Sequence, residues 1–150
     1  MPRTIDEWQS RIKAVESEFK SARLAVDRLL TEASRDPAIL KPMISLPDVR
    51  QASDRLEGTY IIRLFAEFET GLRQFWGSTR RSEPPSRTRD LLDGTAAARQ
   101  IPNDQRINAH KVRDHRNNLI HERDQQSAPV SLAEARSHLC YFISFLPPDW

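Results

Sequence analysis

The chain has 150 residues, a formal net charge of +2, 38% hydrophobic residues, four glycines and one cysteine. That length suits one domain with a single sizeable core, without disulfides or a structural metal. Four glycines are too few for a hairpin-rich β fold or a Gly-rich phosphate loop, and Cys140 alone cannot form an internal bridge. No apolar run approaches the roughly 20 residues a membrane helix needs, and the first residues contain no apolar signal core. A soluble, cytoplasmic protein with no membrane role is therefore expected. The cations are 19 Arg against 4 Lys. A GC-rich bacterial genome is the plain source of that bias. It also makes RNA a permitted partner, because a guanidinium is the better phosphate fork.

Thr4 with Glu7 three residues later reads as a capping box. Apolar or small residues then follow at Ile5, Trp8, Ile12, Val15, Phe19, Ala22, Val26 and Leu29, in alternating steps of three and four. This spacing predicts an amphipathic helix over about 4–34, roughly 45 Å long. A helix of that length either spans the bundle or protrudes to meet a partner. Asp36-Pro37 and Lys41-Pro42 end it.

Leu46-Pro47-Asp48 opens a second long helix over about 48–76. Its stripe is Val49, Ala52, Leu56, Tyr60, Leu64, Phe65, Phe68, Leu72, Phe75 and Trp76, which reads as core. Gly58 and Gly71 are weak spots or close-packing points within it. Gly77 to Asp90 carries two prolines, no apolar residue and Arg80, Arg81, Arg87 and Arg89. It reads as a solvated, mobile loop whose arginines are candidates to grip an RNA backbone. A short helix over about 90–100 follows.

Pro102-Asn103-Asp104 announces a helix over about 104–123, and Ser131 with Glu134 opens a last one that stops at Pro147-Pro148. No strand and no internal repeat is evident. The expected fold is all-α, a four-to-five-helix bundle with a long N-terminal helix. The whole chain, 1–150, reads as one helical domain whose core bundle spans about 48–146.

The chemistry concentrates in Lys111-Val112-Arg113-Asp114-His115-Arg116-Asn117-Asn118-Leu119-Ile120-His121-Glu122. From His110 to Asn118 only Val112 is aliphatic, so the helix faces a polar cleft, a subunit interface or solvent. Arg113, Asn117 and His121 share one face at i, i+4 and i+8. Arg116 and His121 lie roughly 140° apart around the axis and about 7.5 Å apart along it. His110 and His121 return to nearly the same face but about 16 Å apart, too far for one metal ion. No metal and no cofactor is expected. Metal-independent RNA cleavage needs a group near neutral pKa to move a proton and a fixed cation for the phosphoryl charge. His121 and Arg116 are the right types, and Asn117 can orient the imidazole or hold a phosphate oxygen.

Arg116, Asn117 and His121 resemble the Arg-x4–6-His motif of the HEPN superfamily, in which a polar residue often follows the Arg. The order of elements over about 48–146 is also similar: a long aromatic-acidic helix (Tyr60 to Glu69), a loop, the motif helix and one closing helix. The resemblance implies a HEPN-like bundle, commonly a homodimer, in which two motifs form one composite ribonuclease site. Arg116 of one subunit and His121 of the other would approach one phosphate and leave a 2′,3′-cyclic phosphate and a 5′-hydroxyl. Catalytic residues would be Arg116, Asn117 and His121, with Arg113 and Glu69 in support. The setting it implies is bacterial defence, stress response or a toxin with an antitoxin partner. HEPN toxins paired with a minimal nucleotidyltransferase often carry Tyr two positions after the His, where this chain has Arg123. The alternative expectation is a non-catalytic HEPN-like module that binds RNA, a nucleotide or a protein. A plain α-helical assembly protein is the third.

Overall fold

The computed structural model describes residues 4–121 and 127–150. Several of their helices begin where side chains satisfy free backbone groups. In α1 (Ile5–Arg35) the Thr4 hydroxyl accepts from the Glu7 N–H while the Glu7 carboxylate accepts from the Thr4 N–H. Asp36 ends α1 and its carboxylate accepts from the Ala38 N–H, capping a single 3-10 turn at Pro37–Leu40. Ser45 and Asp48 repeat the reciprocal box at the start of α2 (Leu46–Arg80). The shorter helices are α3 (Thr88–Arg99), α4 (Asn103–His121) and α5 (Leu132–Ile143). The architecture is thus all-helical, a five-helix bundle among the described residues, whose only β feature there is an isolated bridge between Thr4 and Asp149.

One expectation needs correcting. The expected mobile loop from Gly77 to Asp90 is shorter and well tethered. α2 runs through Gly77 to Arg80, where the Arg80 guanidinium stacks 4.6 Å from the Trp76 ring centre. Arg81 then adopts a left-handed conformation with φ 50° and ends the helix. Beyond it Arg73 donates to the Pro85 carbonyl at 2.9 Å and to the Ser86 carbonyl at 3.2 Å. Composition showed the absence of apolar anchors in this loop but not the cationic anchor reaching in from α2.

α1 and α2 lie antiparallel, as the cross-pairs Arg11–Glu67, Glu18–Arg63 and Arg23–Ser53 require. The first third of α1 and the last two-thirds of α2 join α3, α4 and α5 around one core. Trp8, Ile12, Leu64, Phe65, Phe68, Leu72, Leu91, Leu92, Val112, Leu139 and Phe142 are fully buried there. Close approach replaces bulk at two glycines. A Cβ on Gly71 would stand 3.0 Å from Trp8, and one on Gly58 would stand 3.1 Å from Leu119. The closing segment clips on beside this core: Pro148 accepts from the Ile5 N–H, and the Trp150 ring meets Phe75 edge-on.

Beyond the level of Glu57 and Gly58, which still reach Leu132 and Leu119, α1 and α2 continue as a two-helix arm. The arm has a small core of its own, Ala33, Leu40 and Val49, with Leu29, Leu30 and Leu46 packed against it. The long first helix therefore both enters the bundle and projects from it. Ala52, expected in the core stripe, is exposed on the arm.

Candidate functional site

α4 is the most polar helix of the bundle, and its burial explains how that is tolerated. Ala109, Val112 and His115 face inward. Arg116 falls on the same side, so its guanidinium enters the space between α4 and α2 rather than solvent. It lies 4.6 Å from the Phe65 ring centre, and its Nη2 donates to Glu69 Oε2 at 3.2 Å. The side chain is 18% exposed, and its buried Nε has no hydrogen-bond partner. Burial pushes the guanidinium below its ordinary pKa; Glu69 opposes that shift and the nearby Arg113 adds to it. The group remains charged at neutral pH, because an arginine starts far above that range.

Glu69 is the hub of this region. Its Oε1 accepts from Arg73 Nε and Nη2 and from the Thr88 hydroxyl, while Oε2 serves Arg116. One carboxylate thus ties α2, the start of α3 and α4 together. Glu67, two residues earlier, pairs with Arg11 on α1 instead. Arg63 forms an exposed pair with Glu18.

A second cluster forms along the edge of α4 that meets α3. Asp93 Oδ1 lies 2.7 Å from His110 Nε2 and accepts from Arg106 Nη1 at 2.8 Å. His110 Nδ1 lies 2.8 Å from Arg113 Nη1, whose Nε and Nη2 turn to Asp114. Arg113 can only donate, so Nδ1 must carry the lone pair and Nε2 the proton. Burial alone would raise the Asp93 carboxyl, but the bonds and charges of Arg106 and His110 outweigh it and hold the group below the usual carboxylate range.

The structure therefore brings Arg116 to Glu69 across α4 and α2, while Arg113, on the same helix as Arg116, turns to His110 and Asp114. It does not bring Arg116 to His121 within one chain. His121 ends the described part of α4 and is exposed, while Arg116 faces the bundle. Asn117 is half-buried between them. Arg80, Arg81, Arg87 and Arg89 are all exposed, around the tethered turn. Glu122 and Arg123 lie outside the described residues. Sequence reasoning passed over Asp93, Arg73 and Thr88, whose significance exists only across helix pairs, and gave His115 no context although it is buried. His110 enters the sequence reading only as a metal ligand, and no spacing rule pairs it with an aspartate 17 residues earlier across a turn. Cys140 is buried in the core, and burial raises its thiol pKa.

Among the described residues no three His, Cys, Asp or Glu side chains are grouped to hold a metal ion, and no helix is long and apolar enough to cross a membrane. Comparison with protein-family models, curated proteins and solved structures found no match.

Proposed function

We propose that this protein is a metal-independent endoribonuclease of the HEPN type, with a composite active site at a homodimer interface. The observation that carries the reading is the state of Arg116. It is no free surface arginine: Phe65 and Glu69 fix it, burial strips much of its water, and its Nε has no partner. A preorganised, partly dry guanidinium is the kind of cation that stabilises charge building on phosphoryl oxygens. His121, five residues later, is an exposed imidazole, a side chain able to give and take a proton. Because the two diverge on one helix, two copies of α4 must meet to serve one phosphate. Glu69 positions Arg116, Arg113 supports the site from the same helix, Asn117 orients the imidazole, and Arg80, Arg81, Arg87 and Arg89 offer phosphate contacts around the tethered turn. Bacterial defence, stress response or a toxin role with an antitoxin partner is the setting such an activity fits.

The test is cleavage of single-stranded RNA in EDTA, with products assayed for a 2′,3′-cyclic phosphate. His121→Ala and Arg116→Ala each abolish cutting while the helical circular dichroism persists, and sedimentation shows a dimer. Cutting that survives both substitutions, or a strictly monomeric wild type, overturns the site. One observation favours a second reading, a non-catalytic RNA-binding module: Glu69 already neutralises Arg116. Saturable RNA binding without cleavage at high protein concentration decides for it.

A further inference from the structure

We infer that His110, oriented by Asp93 and capped by Arg113, is a second proton-transfer residue of the ribonuclease site, acting on RNA together with His121 of the partner subunit. The inference rests on the endoribonuclease reading above and adds to it the group that removes the 2′-hydroxyl proton.

Cleavage by the 2′-hydroxyl requires two proton movements on opposite sides of the phosphorus, one off the nucleophile and one onto the leaving oxygen. A single histidine serves both only in turn. His110 has the surroundings of a base. Asp93 Oδ1 at 2.7 Å holds the Nε2 proton and thereby fixes the lone pair on Nδ1. The ring is 15% exposed, so its orientation is set by packing as well as by the carboxylate. Arg113 Nη1 covers Nδ1 at 2.8 Å. A phosphate arriving at this edge of α4 offers Arg113 a stronger, charged acceptor than a neutral imidazole. When Arg113 turns to the phosphate, the Nδ1 lone pair is exposed beside the substrate. The free protein thus keeps its base covered until a phosphate uncovers it.

His110, Arg113, Asn117 and His121 follow one another along α4 in steps of three, four and four, one stripe of about 16 Å. Within one chain its two histidines are too far apart for a single phosphate. An isologous pairing through the whole stripe is centred midway, between His115 and Arg116, with the two helices antiparallel. Position 110 of one copy then stands across from position 121 of the other, which yields two equivalent sites. In each, the 2′-O–H proton passes to His110 Nδ1 as the 2′-oxygen bonds to phosphorus. The P–O5′ bond breaks, and the protonated imidazole of the partner's His121 donates its proton to the leaving 5′-oxygen. The products are the cyclic phosphate and the 5′-hydroxyl, and solvent returns both histidines to their starting states. Arg113, once turned from His110, carries the phosphoryl charge in each site.

The experiment uses the full chain and a single-stranded RNA oligonucleotide in EDTA. His110→Gln lowers kcat by about a hundredfold or more with little change in KM. Asp93→Asn retains partial activity, with kcat lowered more than KM is changed, because the carboxylate no longer holds the His110 ring in place. Added imidazole restores cutting by His110→Ala. The decisive arm mixes His110→Ala with His121→Ala, each inactive alone, after dissociation and reassociation. Half of the dimers are then mixed and one of their two sites is intact, so about a quarter of wild-type activity returns. Wild-type cutting with an active His110→Gln, or with no return on mixing and no rescue by imidazole, overturns this inference and leaves the endoribonuclease reading standing. A wild type that cuts no RNA overturns both. Circular dichroism of each variant separates loss of the base from loss of the fold, and Asp93→Asn keeps the test open if the His110 variants unfold.

Discussion

Arg116 Nη2 and Glu69 Oε2 stand 3.2 Å apart in a space where both side chains are about one-fifth exposed. The pair joins α4 to α2, and Glu69 carries Arg73 and Thr88 on its other oxygen. Glu69→Ala strands two guanidinium groups and frees the turn at Pro85 and Ser86. Loss of such a partly buried pair costs about 2 kcal/mol or more, below the deeply buried range because water still reaches it. Urea unfolding measures that loss. RNA cleavage falls further than stability does, because Arg116 loses the carboxylate that aims it. A variant with full stability and full cleavage shows that the contact positions nothing.

Two glycines in α2 respond to alanine in opposite directions. At Gly71 the new methyl meets Trp8 at 3.0 Å, and that ring is fully buried with no room to retreat. The overpacking outweighs the helix-propensity gain, and Gly71→Ala destabilises by about 1–2 kcal/mol. At Gly77 nothing stands within 4 Å. Gly77→Ala therefore keeps the propensity gain of about 0.8–1 kcal/mol and raises the melting temperature. Thermal melts of the two variants check both signs.

His115 makes stability fall on mild acidification. Burial pushes its pKa below the ordinary 6.5, while the nearby Glu57 pulls the other way without overcoming it. The unfolded chain therefore takes up the proton first. Its contribution is complete above the unfolded value near 6.5 and declines as pH falls from there towards the depressed folded value. Melting curves from pH 7.5 to 5 are expected to show a steeper decline for wild type than for His115→Gln. Parallel curves remove His115 as the cause. A second loss follows in stronger acid, as pH falls below the unfolded carboxylate value of 3.8 towards the lowered pKa of Asp93.

The arm and the bundle are held by separate cores, so they open separately. Leu40→Ala empties part of the small cluster around Ala33 and Val49 without touching Trp8 or Phe68. Hydrogen exchange then quickens at the end of α1 and the start of α2, while the slowest amides of α2 near Phe65 and Phe68 keep their protection. Uniform quickening along the chain shows instead a single cooperative unit.

The helices were legible because local chemistry dictates them. Thr4–Glu7 and Ser131–Glu134 reach only their own backbone, and the three-and-four spacing of Trp8, Ile12 and Val15 names the buried face whatever packs on it. The continuation of α2 past Gly77 was not legible, because it depends on Arg80 finding the Trp76 ring and on Arg73 holding the next turn. The site divides the same way. Periodicity showed that Arg116 and His121 diverge, and the structure has them facing different ways. Which face of α4 turns inward was hidden, because the helix buries Ala109, Val112 and a histidine rather than a hydrophobic stripe. The link from His110 to Asp93 depends on the turn between α3 and α4, where Gln100 takes a left-handed φ of 51° that no nearby glycine announces.

The two-helix arm makes the length of this protein adjustable. Its small core and its Arg23–Ser53 crosslink lie apart from Glu69, Asp93 and α4. Seven residues added to both α1 and α2 within the arm come close to two full turns in each helix, so the facing stripes return nearly to register. Insertions and deletions in that unit would change reach by about 10 Å at a time while the Glu69 cluster joining α2, α3 and α4 kept its geometry. Length variation among descendants of this chain is therefore expected to collect in matched blocks around the 3-10 turn at Pro37–Leu40.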